Sequence, residues 1–200
     1  SNFDEIVDER TKQYISDVNH ILDTLEILNP IYHGVIGELK AVKELSKLPK
    51  KYYIINDYNM IFNPPIYNKN DDDRIHSIQA DHIIVGPTGI FLVETKNWSR
   101  ESINSLDLFS PVKQLRRTGF ALFVYLNNII KNNNIESFES HWGAKKLSIS
   151  NILLMTNANT EEQFQFVKIV TLNNINRYLT NHPIVLSDNQ ISSLVEILTE

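Results

Sequence analysis

The chain contains no cysteine. Disulfides, thiolate metal ligands and cysteine nucleophiles are thereby excluded together. It also lacks any window near the ~18 consecutive apolar residues that would span a bilayer. The first ten residues, SNFDEIVDER, are acidic and do not read as a secretory signal. These absences lead us to expect a cytoplasmic protein with no membrane partner. Positive charge is not in excess either: 24 acidic against 19 basic residues give a formal net charge of −5. A general polyanion binder working by charge alone is therefore disfavoured, and nucleic acid remains an option only where positive charge is local or a bound cation supplies it. No internal repeat is visible.

What is present suits one compact domain with an appended helix. Two hundred residues, 42% apolar and 22% charged, can bury a substantial core. Within residues 3–28, apolar side chains at Val7, Tyr14, Val18, Ile21, Leu25 and Leu28 fall mostly three or four apart, the stripe of an amphipathic helix that Pro30 should end. A second helix is expected from Tyr32 to Leu48, with Val35, Leu39, Val42 and Leu45 on one face and Pro49 stopping it. Tyr52–Ile55 reads as a strand, Asn63–Arg74 as a loop, and Gln79–Val85 and Ile90–Lys96 as two strands around Gly86-Pro87-Thr88-Gly89. Pro111 opens a helix with Val112, Leu115, Phe120, Phe123 and Leu126 among its apolar positions. Residues 131–148 resist assignment. Asn151–Met155 and Phe164–Val170 read as strands and Leu172–Leu179 as a short helix. A last helix starts at Ser187, whose spacing to Gln190 fits a capping box. The order α-α-β-β-β-α-β-β-α-α predicts an α/β domain with a mixed sheet.

The informative segment is QADHIIVGPTGIFLVETKNW, residues 79–98. With Pro87 and Thr88 at the tip of a two-residue turn, opposing residue numbers sum to 175. Asp81 then faces Glu94 and Gln79 faces Lys96. Period-two alternation puts all four on one side of the sheet. Like charges directly opposed on a sheet repel, so two carboxylates ending an Ile-, Val- and Leu-rich hairpin call for a cation. Lys96 is one, and a divalent metal on oxygen ligands from Asp81, Glu94 and the Thr95 carbonyl is another. Such a cation could polarise a phosphodiester and make hydroxide available, while Lys96 orients the attacking water or offsets developing negative charge. Glu-x-Lys alone is a weak signal, and the opposed aspartate makes it specific.

With these residues in view, the chain resembles a NERD (nuclease-related) domain of the PD-(D/E)XK phosphodiesterase superfamily. The likeness is carried by Gly37-Glu38, by Gln79-Ala80-Asp81-His82, and by Gly89-Ile90-Phe91-Leu92-Val93-Glu94-Thr95-Lys96-Asn97. Pro111-Val112-Lys113-Gln114-Leu115 is similar to the family's following helix, and Asn151–Met155 and Gln165–Leu172 to its later strands. Ala80 departs from the family, where a β-branched residue is common. The resemblance spans roughly residues 32–180. It implies a restriction-endonuclease-like mixed β-sheet core flanked by helices, with the N-terminal amphipathic helix as an extra. On this reading residues 1–29 are a helical extension, 30–180 the nuclease-like domain, and 181–200 a helix packed on the same domain. It also implies a nuclease dependent on magnesium or manganese, with DNA as substrate. Asp81, Glu94 and Lys96 fall on the family's ligands and lysine, Glu38 on a helical glutamate that assists, and Gln114 on a glutamine facing the site. Gln79, Lys113 and Arg117 are the expected nucleic-acid contacts. A helicase or kinase partner, as found fused to such domains, would be a separate chain.

Blander readings stand beside these. Gln79 and Gln114 could equally hydrogen-bond backbone. The basic runs Lys47, Lys50, Lys51 and Lys113, Arg116, Arg117 resemble solvated faces. His82 points to the opposite side and reads as structural. Asp71-Asp72-Asp73 lacks the glycine and distal glutamate of a calcium loop, and His76, His141 and Trp142 have no partners at useful spacing. The rival functions are a catalytically silent nuclease fold that binds nucleic acid or a protein, and an interaction protein that forms a homodimer through its N-terminal helix.

Overall fold

The computed structural model describes residues 2–100, 103, 108–132, 138 and 146–200, with side chains from Arg10 onward except Thr11. His141, Trp142, the Val7 side chain and most of the unassigned stretch 131–148 lie outside the described residues. The chain divides into two compact units, Ser1–Ile36 and Gly37–Glu200. No helix among the described residues is long and apolar enough to cross a membrane.

The two expected N-terminal helices are one. Helix α1 runs Asn2–Leu45 with Pro30 inside it. A proline there removes one main-chain donor and ordinarily breaks a helix. Glu26, whose carbonyl loses that donor, is exposed, as is Pro30 itself, so water can take the carbonyl. The buried face also differs from expectation. Of the expected positions Leu45 is buried, beside Gly37 and Ala41, whereas Val35, Leu39 and Val42 are exposed.

The second unit is a five-stranded sheet in the order β1-β2-β3-β4-β5, antiparallel across the first three strands and parallel across the last three. The strands are β1 Tyr53–Asn68, β2 Asp73–Gly86, β3 Gly89–Lys96, β4 Ile149–Met155 and β5 Val167–Thr171. Helix α2, Phe109–Asn132, lies between β3 and β4 in the chain. A 3-10 turn at Leu172–Asn174 leads into α3, Ile175–Thr180, and α4 spans Asp188–Thr199. The Ser187 and Gln190 capping box is formed in both directions, as its spacing predicts.

The sheet overrides the expected loop at Asn63–Arg74, most of which belongs to β1 and β2. Pro64 and Pro65 are tolerated because β1 is an edge strand and pairing there shifts, from Ile61↔Ser77 to Ile66↔Ile75, so the prolines occupy an irregular stretch. Asp71 and Asp72 form the turn, and Asp73 opens β2. At the other edge, β5 begins at Val167 rather than Phe164, which keeps only an isolated bridge.

Apolar layers cover both faces of the sheet. Ile83, Ile90 and Leu92 pack with Leu115, Leu122 and Leu126 of α2 and with Leu194 of α4. Ile84, Phe91 and Val93 pack with Ala41 and Leu45 of α1 and with Ile175 and Leu179 of α3. Double coverage explains why IFLV in β3 is a continuous apolar run and not an alternating one.

Candidate active site

The hairpin pairs as predicted, from Gly86↔Gly89 through Ile83↔Leu92 to His82↔Val93. There the ladder stops, so neither Asp81 with Glu94 nor Gln79 with Lys96 forms a ladder pair. Instead the Thr95 N–H donates to Asp81 Oδ2 at 2.6 Å, the carboxylate standing where a main-chain carbonyl would be. On the other side of β2 the pairing passes over Asp57 and Asp81, and Asp57 takes a left-handed φ of 50°. Asp81 thus sits where β2 loses regular contact with both neighbours.

Because Leu92 lies in the α2-side layer, alternation along β3 carries Glu94 to that side. Ala80 and Ile83 both line the same layer, so alternation along β2 breaks at Asp81, and its bond to the Thr95 N–H is what brings it beside β3. Glu94 is 8% exposed and accepts a hydrogen bond on Oε1 from Lys96 Nζ at 2.8 Å. Lys96 is two residues along the strand on the same face, which is why it can reach. Burial, and then the Glu94 charge, push the Asp81 carboxyl up to about 6, against the opposing pull of the Thr95 N–H and Lys96. Glu38 also raises it, so the helical glutamate is close enough for its charge to be felt there.

Gly37 explains how Glu38 arrives. A Cβ at Gly37 would lie 2.7 Å from Asn97 Cβ and 3.3 Å from Thr156 Oγ1. Only glycine lets α1 approach the chain leaving β3, where Thr156 Oγ1 donates to Asn97 Oδ1 at 3.0 Å. Glu38 is the next residue and is exposed.

The other expected site residues stand apart. Gln79, Lys113 and Gln114 are exposed, and among the described residues no hydrogen bond or ion pair joins them to Asp81 or Glu94. Arg117 is engaged with Asp73, Nε to Oδ2 at 2.5 Å, and so ties α2 to the β1–β2 hairpin. This pairing holds the Asp73 carboxyl below the usual range, with Lys113 adding to the effect. His82 is buried, shares Nδ1 with Asn56 Oδ1 at 2.8 Å, and is pushed down to about 4 by burial, in keeping with its structural reading.

Sequence reasoning missed an open groove of about 1310 Å³ along α2 and the β5 edge. Lys113, Arg116, Arg117 and Lys168 line it beside Phe109 and Phe166. Both phenylalanines are about two-thirds exposed, and Arg116 lies over the Phe166 ring. Basic residues interleaved with aromatics are a usable signal, but these come from segments some fifty residues apart in the chain.

Among the described residues no three His, Cys, Asp or Glu side chains cluster as a metal cage. The available donors are Asp81, Glu94 and the Thr95 carbonyl. Since Thr156 N–H takes the Lys96 carbonyl on the β4 side, alternation turns the Thr95 main-chain groups toward β2 and Asp81. Magnesium characteristically keeps several waters and binds through one or two carboxylates, so this all-oxygen set fits it.

A family model for the nuclease-related domain, NERD, matches residues 33–141. The chain belongs to that family. The match spans α1 from His33 through β1, β2, β3 and α2, and so contains both carboxylates, Lys96 and Gly37-Glu38. Placement of this NERD domain among the PD-(D/E)XK phosphodiesterases agrees with the mixed sheet and its flanking helices. A stretch of 70 residues is also 39% identical to an uncharacterized protein of Bacillus anthracis, covering 34% of this chain and 28% of that protein. The matched stretch is thus under a third of that relative's length. Membership gives the chain a nuclease-related function class.

Proposed function

We propose that this NERD domain is a divalent-metal-dependent nuclease that hydrolyses phosphodiester bonds in DNA. The observation that carries the reading is the meeting of Asp81 and Glu94 on neighbouring strands, in a partly dry site that raises the Asp81 pKa, with Lys96 bonded to Glu94. Two ionised carboxylates there repel unless a cation joins them.

Asp81, Glu94 and the Thr95 carbonyl would hold magnesium or manganese, which would supply Lewis-acid polarisation of the phosphate and a more acidic water. Lys96 fixes Glu94 with one of its three N–H donors and has two left for the attacking water or a phosphate oxygen. Its charge acts most where negative charge develops in the transition state. Glu38 adds negative charge at the rim and orients water. Gln114 and Gln79 position the strand, and Lys113 and Arg117 contact phosphates beyond the site. Because Asp73 already neutralises much of Arg117, Lys113 carries more of that load.

Relaxation of supercoiled plasmid, with magnesium, manganese or EDTA, tests the reading. Cleavage with either metal and none with EDTA is expected. Lys96→Ala should lower the single-turnover rate by about 100-fold or more while DNA affinity changes little. Plasmid that is bound but uncut under every metal would instead assign the chain as a silent binding module.

A further inference from the structure

Within the first unit, α1 carries apolar residues at Tyr14, Val18, Ile21, Leu25, Leu28, Tyr32 and Val35, alternately four and three apart. This is the a/d repeat of a coiled coil, unbroken over three heptads. Within this unit the described residues leave the seam open. Val18 is half-buried, and the other six are exposed, from 50% at Val35 to 70% at Tyr14. Among the described side chains from Lys12 to Val35 none is buried. Pro30 and Gly34 both weaken an isolated helix, and helices in proteins take most of their stability from packing an apolar face. Pro30 falls at position f, directly away from the seam, where a missing donor does not disturb a partner.

We propose that this seam pairs with the same seam of a second copy of the chain, as a parallel two-stranded coiled coil about 33 Å long. Self-pairing is favoured by the flanking positions. In a parallel pair each g residue meets the e residue five further on in the other helix. Asp17 then meets Leu22, Thr24 meets Asn29 and Ile31 meets Ile36, so no like charges are brought together. Ile15, Leu22 and Ile31 widen the apolar strip, each more than half exposed. With them the seam offers on the order of 900 Å² per copy, comparable to the ~800 Å² that each partner contributes to a stable interface. The pairing stands independently of what Asp81 and Glu94 do.

The test is the mass of the full chain in solution, 23.1 kDa as a monomer. Sedimentation equilibrium at micromolar concentration should give twice that. Leu25→Glu, which buries a charge at the seam, should raise the dimer dissociation constant by at least about 100-fold, while Asp23→Lys on the outer face leaves it unchanged. Since Leu25→Glu could also melt the helix, a second variant reads the contact directly. The chain has no cysteine, so Leu28→Cys introduces one thiol, and parallel d positions lie within disulfide reach. Oxidation should convert the variant to a covalent dimer. A monomeric parent at 100 times that concentration would overturn the proposal and hand the seam to another protein or segment. A mass of three or more copies, a dimeric Leu25→Glu protein, or a dimer whose Leu28→Cys form does not cross-link would overturn it equally.

Discussion

At Asp81 and His82, adjacent residues on β2 respond to burial in opposite senses. The Asp81 pKa is raised to about 6 and that of His82 lowered to about 4. A raised carboxyl pKa means that the folded state holds its proton more tightly than the unfolded chain. Asp81 therefore contributes stability at low pH that is lost as pH rises from about 4 to 6. A lowered histidine pKa works the other way, with stability present above about 6.5 and lost as pH falls toward 4. The two nearly cancel across that window in the parent. Asp81→Asn keeps an acceptor for the Thr95 N–H and removes the charge. Without metal, the variant should exceed the parent at pH 7 by up to about 3 kcal/mol, an advantage that disappears by pH 4. Urea titrations of both proteins at the two pH values measure this. An equal difference at both would mean that Asp81 titrates normally. That Asp81, Glu94 and Lys96 come close together was legible because the turn length brings those stretches of β2 and β3 side by side. The Thr95 to Asp81 bond was not, since it depends on where a ladder ends, and that is decided by packing on both sides of β2.

Among the elements, the register of the β2–β3 hairpin was legible from Gly86↔Gly89 to His82↔Val93, because Gly86 and Gly89 bracket a turn whose length sets it, while the expected pairs beyond His82 do not form. The Ser187 cap was legible for a similarly local reason. The failures came where neighbours overrule local signals. Pro30 reads as a helix end, yet α1 continues through it on an exposed face. Pro64-Pro65 reads as a loop, yet an edge strand has no outer partner to lose. The face of α1 was misread because Gly37 and Ala41 do not look like a core stripe, although their small size is what lets the helix lie close. A matched pair of substitutions tests this. Gly34→Ala meets nothing within 4 Å and should be neutral or gain up to about 1 kcal/mol in helix propensity. Gly37→Ala makes the same gain but forces a 2.7 Å contact with Asn97, and should lose about 1–3 kcal/mol net. It should also reduce cleavage beyond what stability explains, since Glu38 is displaced with the helix. Thermal melts giving the same sign for both substitutions would contradict the close approach of α1.

For the whole molecule, the fold places two carboxylates of one hairpin where their charges conflict, and the family match places that hairpin within a nuclease-related domain. The large basic and aromatic groove along α2 was invisible in the sequence because its residues are assembled by the sheet. Asp81 and Glu94 are proposed to form a divalent-metal site. Metal that binds only the folded state stabilises it by mass action, by ~2.7 kcal/mol at one hundred times its dissociation constant. The most direct measurement is the manganese-induced shift in Tm, relative to EDTA, for the parent and for Asp81→Asn at pH 7. A parent shift of several degrees and a much smaller one in the variant are predicted. Equal shifts in the two proteins would remove Asp81 from the ligand set and contradict the metal site itself.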